Sequence, residues 1–370
     1  MSGQVPLEFA AIQRNKWGMF IPHLPDPHKP ETLTYGTFGI YRWLLATLVL
    51  QSHLGPTDNF NAGSCALWAF FVLSGYTSSY ILDNRYLDLQ DGVRKYYINR
   101  ALRIYPLYWA VAFASIPLII YFPDITKHLS GGMTLPVNSG YWLLNFTIFG
   151  LAPQVGGLPL NHMLVPVGWS LAVEMQWWCF MPFVVRDLSR RPGFLKSSAL
   201  LFALILIWKH SLDLIYLSVL CGMVNFALGL AVYLYIKRRR KTPSATAAAS
   251  LAVLFVVLFL FGGGLALFHE RTFGFVLIVT AATIYYLSAI DNMRMPPLIQ
   301  RIDYWLGRLA YPIFLLNFVA GVLVNALFPS LEYKSWGLFF ASWLLAHAIG
   351  ILLILAIETP VERLRRHYKY

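Results

Sequence analysis

IYRWLLATLVLQSHL, residues 40–54, is an apolar stretch that carries one arginine, Arg42, and one histidine, His53. Read as a helix, it brings both side chains close to one face, roughly 16 Å apart along the axis. An ionisable side chain inside an apolar span is costly and points to function, whereas a lone pair of this kind also fits a snorkelling arginine and a hydrogen-bonded core histidine. The rest of the chain decides between these.

Composition sets the class. Of the 370 residues, 58% are hydrophobic and 12% charged, against about 45–50% and 25% in soluble domains, so an all-α polytopic membrane protein is expected. The net charge of +12 does not indicate nucleic acid, because the basic residues stand in short clusters between apolar runs, as membrane topology demands. Cys65, Cys179 and Cys221 lie in apolar stretches, without metal-ligand or disulfide spacing, and no metal is expected. The N-terminal MSGQVPLEFAAIQRNKWGMF lacks the basic-then-apolar pattern of a signal peptide, which assigns residues 1–36 to the cytoplasm.

About ten membrane helices are predicted, over 37–54, 64–82, 98–122, 168–186, 196–210, 214–236, 246–268, 272–290, 303–326 and 335–357. The apolar stretch 140–152 is too short to cross a layer of about 30 Å and is read as a re-entrant or interfacial segment. Residues 37–358 then form the membrane domain and 359–370 a cytoplasmic tail. With both termini inside, all of the 29 Lys and Arg residues except Lys127, Lys209, Arg271 and Lys334 fall on the inner side, so the pattern passes the positive-inside test. The topology places Arg42 near the inner face and His53 in the outer half. Glu174, six residues into its helix, is expected at the depth of His53.

In GWSLAVEMQWWCFMP, residues 168–182, Glu174 is one turn from Ser170 and flanked by Trp169, Trp177 and Trp178. A carboxylate that orients an imidazole is the arrangement for general-base activation of a hydroxyl, so a His53–Glu174 pair is expected; a structural Glu is the alternative. Arg100 and Arg103 share a helix face at the inner end of their span, a spacing suited to phosphate, with Tyr105 and Pro106 directly after them. Asp303 and Glu358 are expected to pair with arginines. His347 is read as an interhelical hydrogen-bonding residue, and the loop 123–167, with His128, Asn138, Gln154, Asn161 and His162, as the place for acceptor recognition.

Together these segments resemble the acyltransferase-3 family of integral membrane O-acyltransferases. The resemblance rests on Arg42 and His53 ten residues apart, FFVLSGY (70–76), Arg100 and Arg103 within INRALRIYPLYW, WSLAVEMQ (169–176), LGRLAYPIFLLN (306–317) and IETPVERLRR (357–366). It covers about residues 37–366. It implies transfer of an acyl group, usually acetyl from acetyl-CoA, to a hydroxyl of a glycan, lipid-linked sugar or secondary metabolite, with His53 catalytic and Arg100 and Arg103 on the CoA phosphates. Arg42 and Tyr105 join them as expected donor-binding residues, and Glu174 joins His53. The chain departs from the pattern at Asn317, where many members have histidine; asparagine hydrogen-bonds but does not titrate. The expected setting is the inner membrane, with acyl-CoA, a glycan or lipid-linked sugar and membrane lipids as partners. His53 either removes the acceptor's proton or carries the acyl group transiently. A transporter or flippase is the competing class, weakened by the lack of an internal repeat.

Overall fold

A computed structural model describes residues 38–56, 62–152, 161–190, 219–239, 269–290 and 296–368, and every regular element among them is a helix. In chain order these are α1 (Phe38–Leu54), α2 (Ala62–Ile81) with a π-helical end at Leu82–Tyr86, α3 (Gly92–Tyr121), α4 (Pro123–Leu129), α5 (Ser139–Thr147), α6 (Gly168–Arg190), α7 (Val219–Arg239), α8 (His269–Ile290) and α9 (Pro297–Leu327). Then α10 (Trp336–Leu353) runs through a π-helical stretch, Ile354–Glu358, into α11 (Thr359–Arg366). The spans expected at 196–210 and 246–268 lie outside the described residues.

Four helices among the described residues are long and apolar enough to cross a membrane: Ala62–Tyr86, Gly92–Tyr121, Pro297–Leu327 and Trp336–Arg366, with mean hydropathies from 1.4 to 2.3. Their outward faces carry the same message. Phe340, Leu344 and Leu352 on the last of these are 55%, 62% and 64% exposed, apolar area that water would penalise and hydrocarbon accommodates.

Side-chain pairs give the helix directions. Asp303 accepts from the Gly39 and Ile40 N–H groups at 3.2 and 2.8 Å, and Asn317 meets His53 at 3.0 Å; the offset is 264 residues at Gly39 and again at His53, so α1 and α9 run parallel and in register. Asp303 thus satisfies the orphan N–H groups of a buried helix start, rather than forming the expected arginine ion pair. Trp43 bonds His347 while Trp343 bonds Thr47, which makes α10 antiparallel to α1. Phe71 with Phe226, Tyr80 with Tyr233 and Asp83 with Lys237 set α2 parallel to α7. Tyr97 bonds the Cys179 carbonyl and Arg100 stacks on Trp178, whereas Tyr108 lies near Gly168, so α3 and α6 are antiparallel. At the crossing of α1 and α9 only glycine fits: a Cβ on Gly39 would sit 1.9 Å from the Asp303 carbonyl oxygen, and one on Gly307 would sit 2.8 Å from the Gly39 Cα. Close approach through small residues is a usual way for membrane helices to pack.

The short apolar segment forms a helix and a turn held against α3 and α6. α5 has nine residues, about 13 Å, and its far end reaches the middle of α3. There the backbone leaves the helix, and three side chains occupy its carbonyls: Tyr105 donates to Thr147 (2.6 Å), Trp109 to Phe146 (3.0 Å) and Gln176 to Phe149 (2.9 Å). Irregular backbone at membrane depth requires such partners.

Candidate active site

His53 ends α1 and is half-buried, with its ring 4.7 Å from that of Phe318. Its Nδ1 is 3.0 Å from the Asn317 side-chain nitrogen, and Nε2 has no hydrogen-bond partner among the described residues. Asn317 is fully buried and its Oδ1 has no partner among the described residues. A half-turn of the amide exchanges two groups of nearly equal shape. Oδ1 then accepts the proton of Nδ1, and Nε2 is left with a lone pair, the form a general base needs.

Glu174 is elsewhere. It accepts a short hydrogen bond from Ser74 Oγ, and Arg100, Arg103 and Arg42 act on it electrostatically. Arg100 in turn donates to Ser78 Oγ at 3.1 Å and lies 4.6 Å from the Trp178 ring and 5.2 Å from that of Tyr96. Ser74 is two residues from Tyr76, which meets Phe38 at the start of α1, so Glu174 belongs to the Arg42 end of α1 and not to the His53 end. The depth expected by counting from the start of α6 fails for a physical reason: Met163, Leu164, Val165 and Val167 are already buried, so the chain is inside the protein before the helix begins. The hydrogen-bonding partner expected in Glu174 is supplied by Asn317.

Arg42, Arg100 and Arg103 thus share the electrostatic surroundings of Glu174, while the Tyr105 hydroxyl is spent on α5. Arg103 is exposed, has no hydrogen bond or ion pair among the described residues, and lines a cleft with Arg308, Tyr311, Glu358 and Arg365. Glu358 forms the expected ion pair, 3.4 Å from Arg308 Nε. In the 123–167 loop, Asn138 caps α5 and His162 Nδ1 lies 3.0 Å from Thr134 Oγ1 and 3.1 Å from the Leu135 carbonyl. Gln154 is outside the described residues. Ser74 and Gln176 make contacts that sequence reasoning had not assigned, each visible only as a polar residue in an apolar run, whereas Asn317 was marked by its departure from the family pattern but not as the partner of His53.

A family model described as "Acyltransferase domain" matches residues 29–358. The chain belongs to the acyltransferase-3 family, and the helices and apolar outward faces of its described residues make it a membrane acyltransferase. It is 22% identical over 301 residues to "Putative acetyltransferase ORF330" of Acidianus two-tailed virus, covering 78% of this chain and 81% of that protein. No solved structure matches it.

Proposed function

We propose that the protein moves an acyl group, acetyl by family habit, from acyl-CoA to a hydroxyl of a cell-surface or exported glycan or lipid-linked sugar. The observation that carries this reading is His53: one ring nitrogen is held by Asn317, the other has no partner among the described residues, and a cluster of arginines lies at the opposite end of the same helix. The proposed setting is the inner membrane, with ten crossings and both termini in the cytoplasm. The alternation of helix directions agrees with that topology and with the distribution of Lys and Arg.

In this scheme Arg42, Arg100 and Arg103 attract the donor's phosphates on the inner side, and Glu174 balances their charge where the thioester arm passes. Tyr105 keeps the re-entrant tip in place beside them. At the far end His53 Nε2 takes the proton of the acceptor hydroxyl as its oxygen attacks the thioester carbonyl. The C–S bond breaks, and the departing thiolate receives the proton back from His53. Asn317, by accepting from Nδ1–H, fixes the tautomer and the ring direction.

The test is acetyl transfer from radiolabelled acetyl-CoA by purified protein in lipid nanodiscs supplied with a glycan extract. Incorporation that depends on His53 supports the reading. A protein that moves sugar across the bilayer and leaves acetyl-CoA unbound and uncleaved would be a carrier instead.

A further inference from the structure

The cleft beside Arg103 is not explained by the R-x-x-R pair alone. It is walled by Leu102, Arg103, Pro106 and Leu107 of α3, by Arg308 and Tyr311 of α9, and by residues following α10, among them Glu358 and Arg365. Three guanidinium side chains from three segments therefore face one space. Arg365 is 7% exposed and rigidly held: its Nε and Nη2 donate to Asn99 Oδ1 at 2.9 and 2.7 Å, and Nη1 makes a short bond to Glu362. Arg308 donates to Thr359 Oγ1 at 2.9 Å and lies 5.8 and 5.4 Å from the rings of Tyr304 and Trp305. Its contact with Glu358 is long, at 3.4 Å, and so leaves that guanidinium free to exchange one anion for another.

The backbone that delivers Glu358 and Thr359 is unusual. Pro360 has no N–H, the helix widens into its π-helical stretch at Ile354–Glu358, and Thr359 Oγ1 donates to the Ile354 carbonyl at 2.8 Å. Such bulges recur at functional sites because they redirect side chains. Here the redirection turns Glu358 and Thr359 towards Arg308.

We propose that this cleft is a phosphate-binding subsite for the acyl donor, in which Arg308 and Arg365 act together with Arg103, and in which Glu358 holds Arg308 until a phosphate replaces it. The inference rests on the acyl-CoA reading above. Glu358 and Glu362 offset Arg308 and Arg365, so Arg103 is the surplus positive charge, and apolar Leu102, Leu107, Ile357 and Val361 complete the wall around it. Forked guanidinium donors suit phosphate oxygens. Anionic lipid headgroups present the same chemistry, so the test must separate the two.

Acetyl-CoA binding to the full chain in neutral-lipid nanodiscs, measured by calorimetry, makes the comparison. Arg308→Gln and Arg103→Gln should each weaken binding about tenfold, the loss of one charge-assisted contact. Glu358→Gln should tighten it about threefold by removing a competing carboxylate, an effect that a purely structural ion pair would not produce. Arg94→Gln, exposed and outside the cleft, should bind as wild type. Arg365→Gln also breaks the bonds to Asn99 and Glu362, so Arg308 and Arg103 carry the test. If those two variants bind acetyl-CoA within twofold of wild type, or Glu358→Gln weakens binding, the subsite is overturned while the donor reading stands. If they lose only the binding of phosphatidylglycerol added to the nanodiscs, the cleft serves a lipid and the proposal is wrong. If wild type itself binds no acetyl-CoA, the donor reading falls and takes the subsite with it.

Discussion

Two histidines pack against helix pairs that include α1, and they are used in opposite ways. His347 is saturated: Nε2 accepts from Trp43 Nε1 at 2.8 Å, and Nδ1 lies 2.7 Å from the Trp343 carbonyl, to which it donates. With both nitrogens occupied, its tautomer is fixed and it has no site left for a third proton partner. His53 has one nitrogen on Asn317 and none of the described side chains on the other. The contrast is between a histidine with both nitrogens filled, which fastens two helices, and one that keeps a nitrogen open for the proposed proton transfer.

The strongest way to break this contrast is His53→Ala. Transfer of acetyl from acetyl-CoA should fall by about 10³-fold or more, with the melting temperature in detergent close to wild type; a variant that keeps a tenth of the activity would remove His53 from the chemistry. Next comes Asn317→Leu, which should lower kcat about tenfold to a hundredfold through misorientation of the imidazole, with little change in KM for the donor. Asn317→His should recover part of the loss, since imidazole can also accept from Nδ1–H; equal loss in both variants would leave Asn317 a packing residue only.

His347→Ala sharpens the other side. It leaves the Trp43 indole N–H without a partner and should cost about 1–3 kcal/mol of stability, read as a lower unfolding temperature in nanodiscs, while activity per folded molecule stays within about twofold of wild type. A drop in kcat without loss of stability would place His347 in the reaction. The smallest effect is expected from Tyr105→Phe, which exposes one carbonyl at the end of α5 and should cost about 1 kcal/mol. Proteolysis near residues 146–149 should rise accordingly.

Much of this was legible in the chain. The apolar runs located the described long helices to within a few residues at most ends. His347 was readable as an interhelical residue because it stands alone in an apolar run. What escaped was set by tertiary contact. The pairing of His53 with Asn317 depends on the register of two helices far apart in sequence, and no local period encodes it. The true level of Glu174 depends on buried non-helical residues 163–167, which a helix count ignores. α4 lies in a stretch too short and too polar to give a periodic signal. Asp303 went to the backbone of α1 because the buried N–H groups of a helix start compete for a carboxylate as well as arginine does.

The parallel register of α1 and α9 has a consequence for biosynthesis. Parallel helices cannot be joined by a short turn, and here 264 residues separate each paired position. At about 5–20 residues per second, α1 waits roughly 13–50 s in the bilayer before the helix that caps its first N–H groups and holds its histidine has been made. During that interval Arg42, His53 and the uncapped start of α1 are exposed to lipid or to temporary neighbours, so a helix made early is among the last to reach its native setting. A chain released before α9 emerges therefore presents to the cell's quality control the same polar residues that the proposed reaction would use.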